Sequence, residues 1–106
     1  MSKNYDIAIK AISDVINERK RQDIKWGEQN HDPFLYATIL MEEVGEFCQD
    51  ALKLRFDSRM DSLEAATAQV TRMRTEAIQV AAVAVAIVEC IDRDKWMFPT
   101  PEVEGA

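Results

Sequence analysis

The chain has 106 residues, of which 47% are hydrophobic, so it is long enough for one globular domain with a single core. Asp and Glu outnumber Lys and Arg by 19 to 13, and a formal charge of −6 argues against the broad basic surface of nucleic-acid-binding proteins. The most apolar run, Ala77–Ile91, is interrupted by Gln79 and Glu89 and is shorter than the roughly 20 residues that span a bilayer, so no membrane partner is expected.

The first predicted helix covers residues 5–21. Along it, an apolar stripe at helical spacing comprises Tyr5, Ala8, Ile9, Ile12 and Ile16. Residues 25–31 break this period and predict a loop. In that loop, Trp26 is either a residue that stacks on a nucleobase or a structural residue that closes the loop over the core. His31, the only histidine, is expected to be a loop or capping residue.

The second predicted helix covers residues 33–55. Asp32 can accept hydrogen bonds from the free N–H groups of the first turn, and Pro33 suits the first helical position. The core-facing stripe of this helix is predicted to contain Leu40, Val44, Phe47, Ala51 and Leu54. Residues 57–61 then predict a turn.

The remaining helical sequence is predicted in two parts. Residues 64–71 are expected to be helical, as a short separate piece, and a long apolar helix covers about 71–92. Because Ala77–Ile91 is apolar on nearly all sides, this helix belongs at the centre of a larger bundle than one copy can build. We therefore expect an all-α domain over residues 1–95, a loosely ordered tail over 96–106, and a bundle completed as a homodimer or homotetramer.

The cysteines and the start of the chain indicate the compartment. Cys48 and Cys90 both lie in apolar helical patterns, which predicts reduced core thiols. The polar first residues, MSKNYD, lack the apolar segment of a signal peptide. A cytoplasmic protein is expected.

Acidic residues form a row on the second predicted helix. Glu43, Glu46 and Asp50 are spaced i, i+3, i+7 and fall on one flank of the core stripe, whereas Glu42 lies further toward solvent. Two unit charges about 4 Å apart repel by ~1 kcal/mol in water and ~4 kcal/mol at an effective dielectric of 20. A divalent cation reverses the sign of this interaction. Mg²⁺ binds hard oxygen ligands and completes its shell with phosphate oxygens.

The third predicted helix supplies a possible facing wall. Glu76 and Gln79 project from nearly the same side, and burying them beside Ala, Val and Ile without partners would be costly. Gly45, inside a helix at a cost of about 1 kcal/mol, is tolerated where a backbone or ligand approaches closely. The alternative is that the acidic run is a solvated helix face and Glu76 a first-turn acid that favours the helix dipole.

These motifs resemble those of a known family. Glu42-Glu43-x-x-Glu46 followed by Glu76-x-x-Gln79 is similar to the EExxE and ExxD motifs of the MazG-like all-α nucleoside triphosphate pyrophosphohydrolases. Residues 25–31, KWGEQNH, and 76–84, EAIQVAAVA, also resemble a phage- and bacteria-associated MazG-like branch. The resemblance covers roughly residues 15–93.

The resemblance implies a MazG-like helical bundle that assembles as a dimer or tetramer. It implies cleavage of a nucleoside or deoxynucleoside triphosphate to the monophosphate and pyrophosphate, dependent on Mg²⁺ or alternatively Mn²⁺. Glu43, Glu46 and Glu76 would be metal ligands, and Glu42 would be a further ligand or would orient the attacking water. Gln79 stands where the family pattern has Asp and is a candidate metal ligand through one neutral carbonyl oxygen. The site would therefore bind fewer or weaker metals unless Asp50 supplies the missing charge as a further ligand.

The phosphates of such a substrate would need cationic partners. The candidates are Lys53, Arg55, Arg72 and Arg74, each of which is otherwise a surface charge. Two other functions remain open: a nucleotide-binding or regulatory protein with a weakened site, favoured by Gln79, and a helical interaction module without a ligand.

Overall fold

The computed structural model describes residues 4–95, and it builds them into three long helices. They are α1 (Asp6–Trp26), α2 (Pro33–Phe56) and α3 (Leu63–Asp92), with a short 3-10 turn at Ser58–Met60 between α2 and α3. No strand occurs in this part of the chain, so the all-α prediction is confirmed. None of these helices is long and apolar enough to cross a membrane. The predicted tail, 96–106, lies outside the described residues.

The end of α1 differs from the prediction. The helix continues past Arg21 to Trp26, so Lys25 and Trp26 are helical and the loop begins only at Gly27. Both residues are compatible with a helix, and Gly27 stops it because its φ of 74° lies in the left-handed region that favours glycine. The Gly27 N–H donates to the Asp23 carbonyl at 2.8 Å, which closes the last turn.

The other helix starts follow capping rules. The Asp32 side chain accepts hydrogen bonds from the N–H groups of Phe34 and Leu35 at 2.8 and 2.9 Å, as predicted for the start of α2. Ser62 caps α3 by accepting from the Ala65 N–H at 3.0 Å. Residues 64–71 are helical, as predicted, but they are not a separate piece, because α3 runs without interruption from this cap to Asp92.

Helix α3 is the centre of the fold and packs against both other helices. It is antiparallel to α2, since Asp50 near the end of α2 contacts Gln69 near the start of α3. It is parallel to α1, since Arg74 reaches Asp14 and Arg93 reaches the loop that follows α1. Helices α1 and α2 do not pack on each other within residues 4–95, and the space between them is a cleft with α3 as its floor.

The buried core is small and lies between α2 and α3. It contains Tyr36, Ala82, Val83 and Cys90, together with the fully buried Gln69. The prediction that Cys90 is a core thiol is confirmed, but the same prediction for Cys48 is wrong, because this side chain is exposed. Cys48 follows Phe47 by one residue and so points about 100° away from the face of α2 that packs on α3.

The apolar stripe of α1 is not covered within one copy of the chain. Ile9, Ile12 and Ile16 are 59%, 58% and 49% exposed. On α3, Val85 and Val88 are also exposed, so the predicted apolar surface of Ala77–Ile91 is only partly buried. An apolar groove of about 480 Å³ lies between these two helices, lined in part by Ile12, Ile16 and Val85.

Candidate metal centre and adjoining cleft

Three carboxylates from two helices converge where α2 packs against α3. Glu43 and Glu46 lie one turn apart on α2, and Glu76 faces them from α3. Each offers a carboxylate oxygen, and these oxygens all lie within 4.8 Å of one another. Glu43 and Glu76 are half-buried and Glu46 is exposed, so the cluster opens to solvent on one side. This geometry suits the hard oxygen ligands that Mg²⁺ and Mn²⁺ bind.

The electrostatics of the cluster are unfavourable without a cation. Burial and the neighbouring Glu46 and Glu43 carboxylates raise the pKa of Glu76 to about 7. Burial and repulsion by Glu46 and Glu42 also raise the pKa of Glu43. Within residues 4–95, the buried Oε2 atom of Glu76 has no hydrogen-bond partner. A buried carboxylate oxygen without a donor is costly, and a metal ion would satisfy it.

Asp50 lies near the cluster but is bonded to a side chain of α3. Its carboxylate contributes to the raised pKa of Glu76, after the effects of burial, Glu46 and Glu43. The Gln69 side-chain amide donates to the Asp50 carbonyl oxygen at 2.9 Å and to Asp50 Oδ1 at 3.2 Å. The Gln69 Oε1 atom in turn accepts two hydrogen bonds from the Arg72 guanidinium, at 2.9 and 3.1 Å. Sequence analysis missed Gln69.

Gln79, the residue that departs from the family pattern, is half-buried on α3 one turn after Glu76. Its Oε1 atom accepts a hydrogen bond from the Gln22 amide of α1 at 3.5 Å. A hydrogen bond from Gln79, together with the larger effect of Arg21, lowers the pKa of Glu18. Gln79 therefore joins α1 to α3 beside the cluster, and the close set of carboxylates is Glu43, Glu46 and Glu76.

A cleft of about 220 Å³ adjoins the cluster, and Glu43 is part of its wall. The floor is α3, with Gln79 and Val83, and the α1 wall includes Trp26. The full lining combines polar, charged, aromatic and aliphatic side chains: Arg19, Gln22, Asp23, Trp26, Gly27, Gln29, His31, Tyr36, Ile39, Glu43, Gln79, Val83 and Ala86. The cleft thus places an aromatic ring and several amide groups beside a carboxylate cluster.

Two residues that sequence analysis missed hold the loop at the mouth of this cleft. The buried Tyr36 hydroxyl donates to the Gln29 carbonyl at 3.0 Å, and burial with the neighbouring Cys90 raises the pKa of Tyr36 to about 12. Arg93 donates to the same Gln29 carbonyl at 3.1 Å and to Asn30 Oδ1 at 2.9 Å. His31 packs edge-on against Tyr36 at 5.0 Å, in agreement with its predicted structural role in the loop.

The other predicted site residues lie around the cluster. Glu42 is exposed and outside the set of three, one residue before Glu43. Lys53 is exposed on α2, one turn after Asp50. Nothing lies within 4 Å of a Cβ built on Gly45, so the close approach expected at this glycine is absent from residues 4–95 of a single copy.

The remaining predicted cations have other contacts. Arg74 pairs with Asp14 of α1 at 2.6 Å, and the Arg55 guanidinium lies over the Phe56 ring at 5.4 Å. Lys25, which was not among the candidates, lies over the exposed Trp26 ring at 4.7 Å. Arg72 is the arginine candidate that lies one helical turn before Glu76 on the same face of α3.

No protein-family model, curated protein or solved structure matches this chain.

Proposed function

We propose that this protein is a metal-dependent nucleoside triphosphate pyrophosphohydrolase whose centre is the Glu43–Glu46–Glu76 cluster. The observation that carries the proposal is the set of three carboxylate oxygens within 4.8 Å of one another, with a buried Glu76 Oε2 that lacks a hydrogen-bond partner in residues 4–95. A solvated acidic helix face would spread its charges into water, whereas these carboxylates converge from two helices. The resemblance to the MazG-like motifs supports the same function.

Glu43, Glu46 and Glu76 are the proposed metal ligands, and the donor set fits Mg²⁺ or Mn²⁺. When bound, the cation neutralises phosphate charge and activates water for attack. Asp50 is near enough to add negative charge to the centre. Glu42, which is exposed beside the cluster, is proposed to orient the attacking water.

The adjoining cleft supports a nucleotide substrate. Its volume of about 220 Å³ is lined by Trp26, whose ring offers a stacking surface, and by amide side chains such as Gln22 and Gln29, which can donate to and accept from a base edge. With the base in this cleft, the phosphates would lie toward Glu43 and the cluster. Hydrolysis adds water across the anhydride bond between the α- and β-phosphates, and the products are a monophosphate and pyrophosphate.

A second candidate function is nucleotide binding with little or no turnover. Gln79 is neutral and bonded to Gln22, so the close set of carboxylates is Glu43, Glu46 and Glu76, without the last acid of the family pattern. Fewer anionic ligands weaken metal binding and reduce the charge available for catalysis.

We also propose that two copies of the chain assemble in the cytoplasm through α1 and α3. Ile9, Ile12 and Ile16 form one apolar stripe on α1 and are 59%, 58% and 49% exposed in one copy, and contiguous apolar surfaces of this kind mark interaction sites. The exposed Ile12 and Ile16 line the groove between the two helices, which makes that groove the proposed contact.

Pyrophosphate release from a panel of nucleoside and deoxynucleoside triphosphates tests the proposed activity. Release should require Mg²⁺ or Mn²⁺, and both Glu46→Gln and Glu76→Gln should abolish it while the helical circular dichroism signal is retained. Glu64→Gln, a neutralisation at an exposed position in the first turn of α3, is the control and should keep full activity. Full activity in both cluster variants would contradict the proposal, and metal-dependent nucleotide binding without turnover in the unaltered protein would favour the second candidate.

A further inference from the structure

Gln69 is a buried polar side chain that the proposed chemistry has not yet used. It is fully buried, at 0% exposure, on the face of α3 that packs against α2. Both ends of its amide are engaged, because the NH₂ group donates to Asp50 and the oxygen accepts from Arg72. A buried Gln with both ends satisfied fixes the positions of its partners, since losing either bond would leave a buried polar atom without one.

The residue that donates to the Gln69 oxygen is Arg72, an exposed cation one helical turn from Glu76 of the carboxylate cluster. Arg72 precedes Glu76 by one helical turn on the same face of α3, about 6 Å along the helix axis. Even so, within the described residues its guanidinium bonds to the neutral Gln69 oxygen and has no carboxylate partner. By contrast, Arg74, two residues further on, is neutralised by Asp14. Arg72 therefore keeps its positive charge available for an anion.

The geometry explains why Arg72 does not turn to the carboxylates. Two of its nitrogens, Nε and Nη2, share the single Gln69 oxygen, and helical side chains lean toward the preceding turn, where Gln69 lies. The other end of Gln69 is held by Asp50 on α2, so the amide cannot rotate without losing bonds to that helix. One buried side chain thus sets the relative positions of an acidic residue and a cationic residue at the edge of the cluster.

We propose that Gln69 is a positioning residue that holds Arg72 to receive the pyrophosphate part of a metal-bound triphosphate. This inference rests on the proposed function, because the cluster must hold a cation for the phosphates to be placed there. Arginine suits this role, since its planar guanidinium gives parallel charge-assisted hydrogen bonds to phosphate oxygens. The nitrogens that face away from Gln69 remain available to the anion.

Calorimetric titration with Mn²⁺ alone, then with inorganic pyrophosphate in the presence of Mn²⁺, tests this inference separately from turnover. Arg72→Gln should weaken pyrophosphate binding about tenfold or more while the Mn²⁺ affinity stays within about twofold, because the metal ligands are untouched. Arg72→Lys should retain part of the affinity. Arg74→Gln removes an arginine of α3 that is paired with Asp14 and is the matched control, with pyrophosphate affinity unchanged.

A double-mutant cycle tests the role of Gln69 itself. Gln69→Met should also weaken pyrophosphate binding, and it should add no further loss in the Arg72→Gln background, because it acts through Arg72. A merely structural role would lower stability in both backgrounds without this non-additivity in binding. If Gln69→Met does not fold, Gln69→Asn, which keeps an amide but is one methylene shorter, takes its place in the cycle and should show the same non-additivity with Arg72→Gln.

The outcomes separate the two proposals. If Mn²⁺ binds but pyrophosphate does not, or binds equally well to the unaltered protein and Arg72→Gln, the inference is overturned and the metal centre stands. Independent losses for Gln69→Met and Arg72→Gln would remove the positioning role of Gln69. If the unaltered protein does not bind Mn²⁺, the metal centre and this inference both fail.

Discussion

Replacing Glu76 with Gln should stabilise the metal-free protein at pH 8 and remove its stabilisation by Mg²⁺. The carboxylate oxygens of Glu43, Glu46 and Glu76 lie within 4.8 Å of one another. At that distance, two unit charges repel by about 3.5 kcal/mol at an effective dielectric of 20 and by about 0.9 kcal/mol in water. Because Glu46 is exposed and the other two are half-buried, we expect a net gain of about 1–3 kcal/mol in the free energy of unfolding.

The sign of this stability change follows from the pKa of Glu76. The pKa of Glu76 is raised to about 7 by burial and by the neighbouring carboxylates, above its ordinary value of 4.5. The folded protein therefore holds the Glu76 proton more tightly than the unfolded chain does. The stability that this proton adds to the folded state is fully present below about pH 4.5 and is lost as the pH rises through about 7. Glu76→Gln mimics the protonated form, so its advantage should be large at pH 8 and clearly smaller at pH 5, which lies just above the ordinary pKa of 4.5.

Urea unfolding at pH 5 and pH 8, with and without Mg²⁺, measures these effects. Mg²⁺ at pH 8 should stabilise the unaltered protein and leave Glu76→Gln unchanged. Asp61→Asn, a neutralisation at an exposed position after the 3-10 turn and away from the cluster, is the control and should change stability by less than about 0.5 kcal/mol. A loss of stability in Glu76→Gln at pH 8, or an equal gain at both pH values, would refute the electrostatic reasoning.

Three further predictions concern the backbone, the loop and the assembly. Gly45→Ala should stabilise the protein by about 1 kcal/mol, because open space surrounds that position, whereas Gly27→Ala should cost about 1–2 kcal/mol at a φ of 74°. Urea denaturation measures both, and the same sign for the two variants would contradict the prediction. Arg93→Ala should increase backbone motion at residues 28–31, measured as lower NMR order parameters, because it removes hydrogen bonds to Gln29 and Asn30, and unchanged order parameters would show that Tyr36 holds the loop without it. Ile12→Asp should shift the protein from dimer to monomer in light scattering, and an unchanged mass would exclude the groove between α1 and α3 as the interface.

Local patterns in the sequence predicted the helices and the members of the carboxylate cluster. Asp32 and Pro33 define the start of α2 by chemistry that acts within one turn. The convergence of Glu43, Glu46 and Glu76 follows from helical spacing, together with the assumption that the two helices face each other. The end of α1 was predicted too early because Lys25 and Trp26 do not themselves stop a helix, whereas Gly27 does.

The polar contacts between helices were not predictable from local spacing. A Gln in a helix is usually a solvated residue, and nothing next to Gln69 in sequence indicates that it is fully buried. Its pairing with Asp50 depends on the register in which α2 and α3 pack, which is set by the whole interface. Arg93 reaches the loop after α1 across more than 60 residues of sequence for the same reason.

The most direct test of the central claim is the identity of the products formed from a nucleoside triphosphate. Phosphorus-31 NMR of the protein with Mg²⁺ and each of the common nucleoside and deoxynucleoside triphosphates should give equal amounts of a monophosphate and pyrophosphate for at least one substrate. The same sample with Glu46→Gln should give neither product. Release of orthophosphate in place of pyrophosphate, or product formation that Glu46→Gln does not reduce, would contradict the assignment of the Glu43–Glu46–Glu76 cluster as the catalytic centre.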